Sequence, residues 1–107
     1  MDSGRLREVV VIEEPIEIPN ELGETVQTWN PIARRRAAVE AVGYIEANRR
    51  DQIGGEVSHT VTIRYMPALK ANMRMRWESR GDRILNISGI VERGIREWHE
   101  ITAEERN

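Results

Sequence analysis

The sequence predicts a mainly β protein, a small antiparallel β-barrel or sandwich with one short inserted helix. Apolar and polar residues alternate over several stretches, clusters of Gly, Pro and Asn interrupt them at short spacing, and only residues 43–54 break the two-residue rhythm. The 107 residues are enough for one core, so residues 1–107 are expected to form a single domain.

The first strand is expected from Arg7 to Glu14, a β-branched run that stops at Pro15. Pro19-Asn20-Glu21-Leu22-Gly23 is a turn cluster, and Thr25 to Trp29 returns as the second half of a hairpin. After Asn30-Pro31, residues 34–42 form another strand with Ala37, Val39 and Ala41 on one side and Arg36 and Glu40 on the other. Tyr44 to Ile53 has helical propensity, follows Gly43 and stops at Gly54-Gly55, which predicts the short helix.

Residues 57–65 are apolar or aromatic at the odd positions apart from His59, the pattern of a half-buried strand. Met73 to Glu78 repeats it, with Met73, Met75 and Trp77 on one face. Arg80-Gly81 turns the chain, and Ile84 to Val91 returns as a partner strand, bent or bulged near Gly89. Residues 96–101 supply a last strand, and an acidic tail over residues 102–107 is expected to fray. The inward side is expected to include Val61, Ile63, Tyr65, Met73, Met75, Trp77 and Ile87.

Composition narrows the function. Hydrophobic residues make up 39% of the chain and there is no Phe, so the core is mostly aliphatic and thin. The absence of Cys excludes disulfides, thiolate zinc sites and thiol nucleophiles. Val9 to Ile12 is far too short for a signal-peptide core or a membrane span, so a soluble intracellular protein without a membrane partner is expected. The net charge of −2 is uneven, at −5 over residues 1–33, +5 over residues 34–83 and −2 over residues 84–107. This layout either steers like subunits head to side or reflects a solvated surface. Fifteen of the sixteen basic residues are Arg, which is favoured at forked hydrogen-bonded interfaces.

Nothing in the sequence assembles a catalytic, cofactor or metal site. His59 and His99 lie on separate strands without metal-ligand spacing. Glu13-Glu14 and Glu104-Glu105 are neighbours whose side chains point to opposite faces of a strand, so they read as solvated charges rather than paired acid/base carboxylates. Ser58 and Ser88 lack a nucleophile elbow, and Gly54-Gly55 is not a phosphate loop. A small β-barrel nucleic-acid-binding module is the alternative, since Arg34, Arg35, Arg36, Arg49, Arg50, Arg64, Arg74 and Arg76 could form a basic stripe. The aromatic interleaving that single-strand binders use for stacking is missing from it, because the three Trp are spread widely along the chain.

Laid end to end, the pieces resemble the phage head-tail joining family, the head-closure or stopper proteins of tailed phages. The resemblance runs from about residue 4 to 101. It rests on Gly4-Arg5-Leu6-Arg7 with Val9-Val10-Val11-Ile12, on Gly23 followed by Thr25 and Trp29, and on Glu56 to Tyr65. Met73-Arg74-Met75, Gly81, Arg83-Ile84-Leu85-Asn86-Ile87 and Glu92-Arg93 follow in order. Two features depart from it, a last strand that is less aliphatic and a loop after Tyr65 that lacks a Gly.

The resemblance implies a non-enzymatic structural protein of the virion neck, assembled in the host cytoplasm into a ring of about twelve copies. It also implies contacts with a portal-adaptor complex, with tail components and, without sequence specificity, with packaged DNA in the channel. Residues 43–56 carry the expected working surface, because they are polar and bracketed by glycine. Tyr44 and Ile45 are expected to anchor the helix, while Arg49, Arg50, Gly54 and Gly55 meet a neighbouring subunit, the adaptor or DNA. The other reading of this segment is a helix that only plugs one barrel end through Tyr44 and Ile45.

Overall fold

In the computed structural model, residues 5–42 and 56–106 are described. They form β1 (Glu8–Pro19), β2 (Thr25–Val42), β3 (Glu56–Arg64), β4 (Arg74–Trp77), β5 (Arg83–Arg93) and β6 (Trp98–Arg106), with a 3-10 turn at Glu78–Arg80. The strands are antiparallel throughout and close into a barrel in the order β1-β2-β3-β6-β5-β4, with β4 pairing back onto β1. The mainly antiparallel β fold expected from the alternation is therefore the observed one. The helix expected over residues 43–54, with Tyr44, Ile45, Arg49, Arg50, Gly54 and Gly55, lies outside the described residues.

Alternation decides what faces inward. Val10, Ile12, Ala37, Val61, Ile63, Met75, Leu85, Ile101 and Ala103 are fully buried and pack as one core with Met73, Trp77 and Ile87. Six of the seven expected inward residues are buried; Tyr65 is half-buried at the rim, against the His99 ring at 4.9 Å. The loop after Tyr65 turns Met66 and Leu69 into the core, closed by hydrogen bonds from Leu69 N to Met66 O (3.1 Å) and from Met73 N to Lys70 O (3.1 Å). These two apolar residues cap the barrel interior without a glycine. Outside the barrel, Leu6, Ala38 and Trp98 make a second, small apolar cluster.

Pro15 does not end the first strand. β1 continues to Pro19, and β2 runs as one strand through Asn30-Pro31, so the two stretches expected at residues 25–29 and 34–42 are joined. The cause is where the barrel closes. On β1, β4 reaches only Val10 to Glu13, and on β2, β3 reaches only Ala38 to Val42, so beyond Glu13 each strand of the β1–β2 ribbon has one open edge, a position that tolerates proline. A bulge between Ile12 and Glu13 sets Pro31 opposite Glu13, and the ribbon projects from there as a two-stranded arm.

The arm ends in a tight turn. Asn20 Oδ1 accepts from Leu22 N (3.0 Å) and Glu24 N (2.9 Å), and Gly23 adopts φ +80°, which favours glycine. On the β4–β5 side, Gly81 at φ +80° closes the 3-10 turn. The expected irregularity near Gly89 is a register shift between Ile87 and Gly89, and Ser88 Oγ donates to Thr102 O at 3.1 Å.

Residues 102–106 of the acidic tail are not frayed. β6 extends to Arg106 and pairs with β3 along its full length, and with β5 from Trp98 to Glu104. The two-residue rhythm simply continues past residue 101, since His99, Ile101, Ala103 and Glu105 are all buried. Removing residues 102–107 is therefore expected to abolish cooperative folding, read as loss of the thermal transition in near-ultraviolet circular dichroism; an unchanged melting temperature would contradict the closure. Ile101→Ala is expected to cost about 3 kcal/mol in chemical denaturation.

Candidate functional site

Two of the glutamates expected to be solvated are buried. Glu105 is 7% exposed; Arg83 donates to both of its oxygens, and His59 Nε2 lies 3.0 Å from Oε1. The His59 ring meets Trp77 edge-on at 5.5 Å, and its Nδ1 is buried without a partner among the described residues. The Arg83 hydrogen bonds hold the Glu105 carboxyl below its ordinary range, burial opposes this, and His59 assists Arg83. A carboxylate so enclosed ties β6 to β3 and β5. It stays ionised near neutrality, with its oxygens already engaged.

Glu13 marks the root of the arm. It accepts from Arg74 Nε at 2.8 Å, and Arg76 Nε lies 3.5 Å from its other oxygen. Arg74 in turn sits over the Trp29 ring, 4.4 Å from the centroid. A buried acid, two β4 arginines and an arm tryptophan thus fasten the ribbon to the barrel where the third strand stops.

Glu8 gathers the far end of β4, accepting from Trp77 Nε1 (2.9 Å), Arg80 Nε (3.0 Å) and Ser79 Oγ (3.1 Å). The Trp77 hydrogen bond is the largest cause that lowers the Glu8 carboxyl below its usual range. His99 plays a comparable structural part, its Nδ1 accepting from Met66 N at 3.2 Å.

Each tryptophan carries a guanidinium on its ring, Arg74 over Trp29, Arg83 over Trp77 and Arg64 over Trp98. The expectation that Trp and Arg stay apart is corrected, because strand pairing unites residues distant in sequence. The consequence for nucleic-acid binding is nevertheless unfavourable, since the guanidinium takes ring surface that a base would need for stacking. Among the described residues, no group of three or more His, Asp or Glu side chains is arranged to hold a metal ion.

The surface is divided. Residues 14–30 of the arm carry four glutamates and no basic residue. Ile18, Val26 and Leu22 are exposed on it, Leu22 by 83% at the turn. On the barrel side, a cavity of about 300 Å³ is lined by Leu6, Arg35, Arg36 and Arg64. The sequence-level charge count located both regions but not the pocket, which needs Leu6, β2 and β3 brought together. Of the residues singled out in the sequence for this surface, Tyr44, Ile45, Arg49, Arg50, Gly54 and Gly55 all lie outside the described part.

The described residues thus form a small closed barrel whose buried ionic groups brace strands and whose exposed features are an arm and a charged side. The chain belongs to the phage head completion protein family, whose model matches residues 1–106, so it is a virion structural protein. It is similar to the solution structure of protein SF1141 from Shigella flexneri 2a, with 28% identity, a TM-score of 0.72, and coverage of 98% of this chain and 96% of that one. It shares its fold with a chain of the virion of the native gene transfer agent particle, at 20% identity and a TM-score of 0.66, covering 94% of this chain and 96% of that one. Compared with curated proteins, the chain matches none.

The lowered carboxyl groups of Glu105 and Glu8, together with that of Glu78, which the hydrogen-bonded Arg34 guanidinium lowers, give the stability a defined pH dependence. Groups with depressed folded-state values support the fold above the ordinary carboxylate range, and that support is lost as pH falls through their folded-state values. The denaturation midpoint is therefore expected to fall on acidification from neutrality. Arg83→Met is expected to lower stability at pH 7 and to flatten this dependence; a midpoint in the variant as acid-sensitive as in the parent would contradict the role given to Arg83.

Proposed function

We propose that this protein completes the phage neck, forming a ring of about twelve copies beneath the portal and adaptor. In this reading it closes the capsid after packaging, retains the DNA and offers the tail its docking surface. Assembly takes place in the host cytoplasm, and the finished site is the virion neck. The observation that carries the reading is the head completion family match, which spans residues 1–106. The surface supports it, since a ring closed by heterologous contacts needs two different complementary patches on each copy, and the acidic arm and the Arg-lined side differ in sign.

Arg49, Arg50 and the Gly54-Gly55 pair are proposed as a further contact to a neighbouring copy, the adaptor or DNA phosphates, with Tyr44 and Ile45 as anchors. Their replacement tests that part alone. Arg49→Ala with Arg50→Ala is expected to leave the melting temperature within about 1 °C, because exposed charges contribute little to stability, while lowering the yield of DNA-filled particles. Normal particles would reject the assignment.

The role itself is tested by assembling heads without the protein. They are expected to package DNA and then lose it, scored as nuclease-sensitive genomes and empty heads by electron microscopy. Heads that retain DNA and join tails without it would overturn the reading. The isolated chain is expected to bind duplex DNA only weakly; tight binding with a steep salt dependence would favour the nucleic-acid module instead.

A further inference from the structure

The arm ends in an apolar side chain between acids, and the barrel carries an apolar pocket among bases. At the tip, Leu22 is 83% exposed, with Glu21 beside it and Glu24 two residues on. The pocket has Leu6 in its lining and Arg35, Arg36 and Arg64 around it, and none of the three arginines has an acidic partner among the described residues. Its volume of about 300 Å³ leaves room for a leucine side chain together with flanking backbone. We infer that the Asn20–Glu24 tip of one copy docks into the Leu6, Arg35, Arg36 and Arg64 pocket of the next. This contact rests on the ring reading above and specifies which surfaces of the ring meet.

Geometry makes the contact intermolecular. Thr25 and Arg35 belong to the same continuous strand, ten residues apart, so the tip stands about 33 Å from its own pocket along β2. The ribbon cannot fold back, because its register is fixed by pairing from Glu8 to Pro19 and its root is held by Glu13, Arg74 and Trp29. A tip-to-side contact uses two different patches and propagates head to tail, as ring closure requires. Among the described residues the other strongly exposed apolar turn residue is Ile95, 89% exposed, but its turn carries Arg93 and Arg96 beside Glu92 and Glu97, so it lacks the wholly acidic flank that Leu22 offers an arginine-rimmed pocket.

The chain has no cysteine, which permits a direct test on the full-length protein. Leu22→Cys and Arg36→Cys variants, mixed and oxidised, are expected to form a heterodimeric disulfide, whereas Ile95→Cys mixed with Arg36→Cys is not. In sedimentation velocity, Glu21→Lys with Glu24→Lys, and separately Arg35→Glu with Arg36→Glu, are each expected to weaken self-association by about tenfold or more. An equimolar mixture of the two charge-reversed proteins is expected to regain it, since each tip then finds a pocket of opposite sign. Absence of the Leu22–Arg36 crosslink, or failure of the mixture to recover, would overturn the contact; so would tight, salt-sensitive binding of a duplex oligonucleotide abolished by Arg35→Glu with Arg36→Glu.

Head completion by the same proteins separates this contact from the neck role. Heads completed normally by each charge-reversed protein alone would reject the contact while leaving that role standing. Heads completed only by the mixture would support the contact, and DNA retention without any copy of the protein would remove the neck role whatever the crosslink shows.

Discussion

Closure of the barrel through Val10 to Glu13 is the constraint on which the rest of the structure depends. This four-residue segment is paired on both sides, to β2 and to β4. It is the only stretch of β1 so enclosed, and it contains the fully buried Val10 and Ile12. Where β4 stops, the barrel stops, and the remainder of β1 and β2 must leave as a ribbon. The arm is thus a result of unequal strand lengths rather than of a separate sequence motif. Its open edges are the kind that invite strand addition, and Pro15, Pro19, Pro31 and the glutamates discourage it. What such a ribbon can still offer is its tip.

Buried charge is arranged around the same constraint. Glu13 and Glu105 would be costly to bury alone, and Glu13 is met by Arg74 and Arg76 of β4 while Glu105 is met by Arg83 of β5 and His59 of β3. Both therefore act as strand-to-strand fasteners, Glu13 at the arm root and Glu105 on the last strand. The guanidiniums of Arg74 and Arg83 also cover Trp29 and Trp77, so one cation serves a carboxylate and a ring at once. In a core without phenylalanine, these mixed contacts supply packing that aliphatic side chains do not.

Much of this was legible in the sequence. The alternation at Val57 to Tyr65 and Met73 to Glu78 identified half-buried strands, and Gly89 marked a bulge, because side-chain period and glycine placement are local properties. The long arm was not legible, since Pro15 and Pro31 are breakers by local rules and only the absence of a third strand makes them tolerable there. Glu13 and Glu105 were misread for a related reason, as their burial depends on Arg74, Arg76 and Arg83 arriving from other strands. The charge asymmetry was visible as a count. The pocket that gives it a shape exists only after Leu6, Arg35, Arg36 and Arg64 are brought together by folding.

The central claim, that the closed barrel exists to hold a rigid arm against a neighbouring copy, is tested most directly by electron cryomicroscopy of DNA-filled heads carrying this protein. The expected map shows successive copies in one ring, with the Asn20–Glu24 turn of each seated beside Leu6, Arg35, Arg36 and Arg64 of the next. A map in which that turn points into solvent or contacts a different protein, with the arginine pocket open, would contradict it.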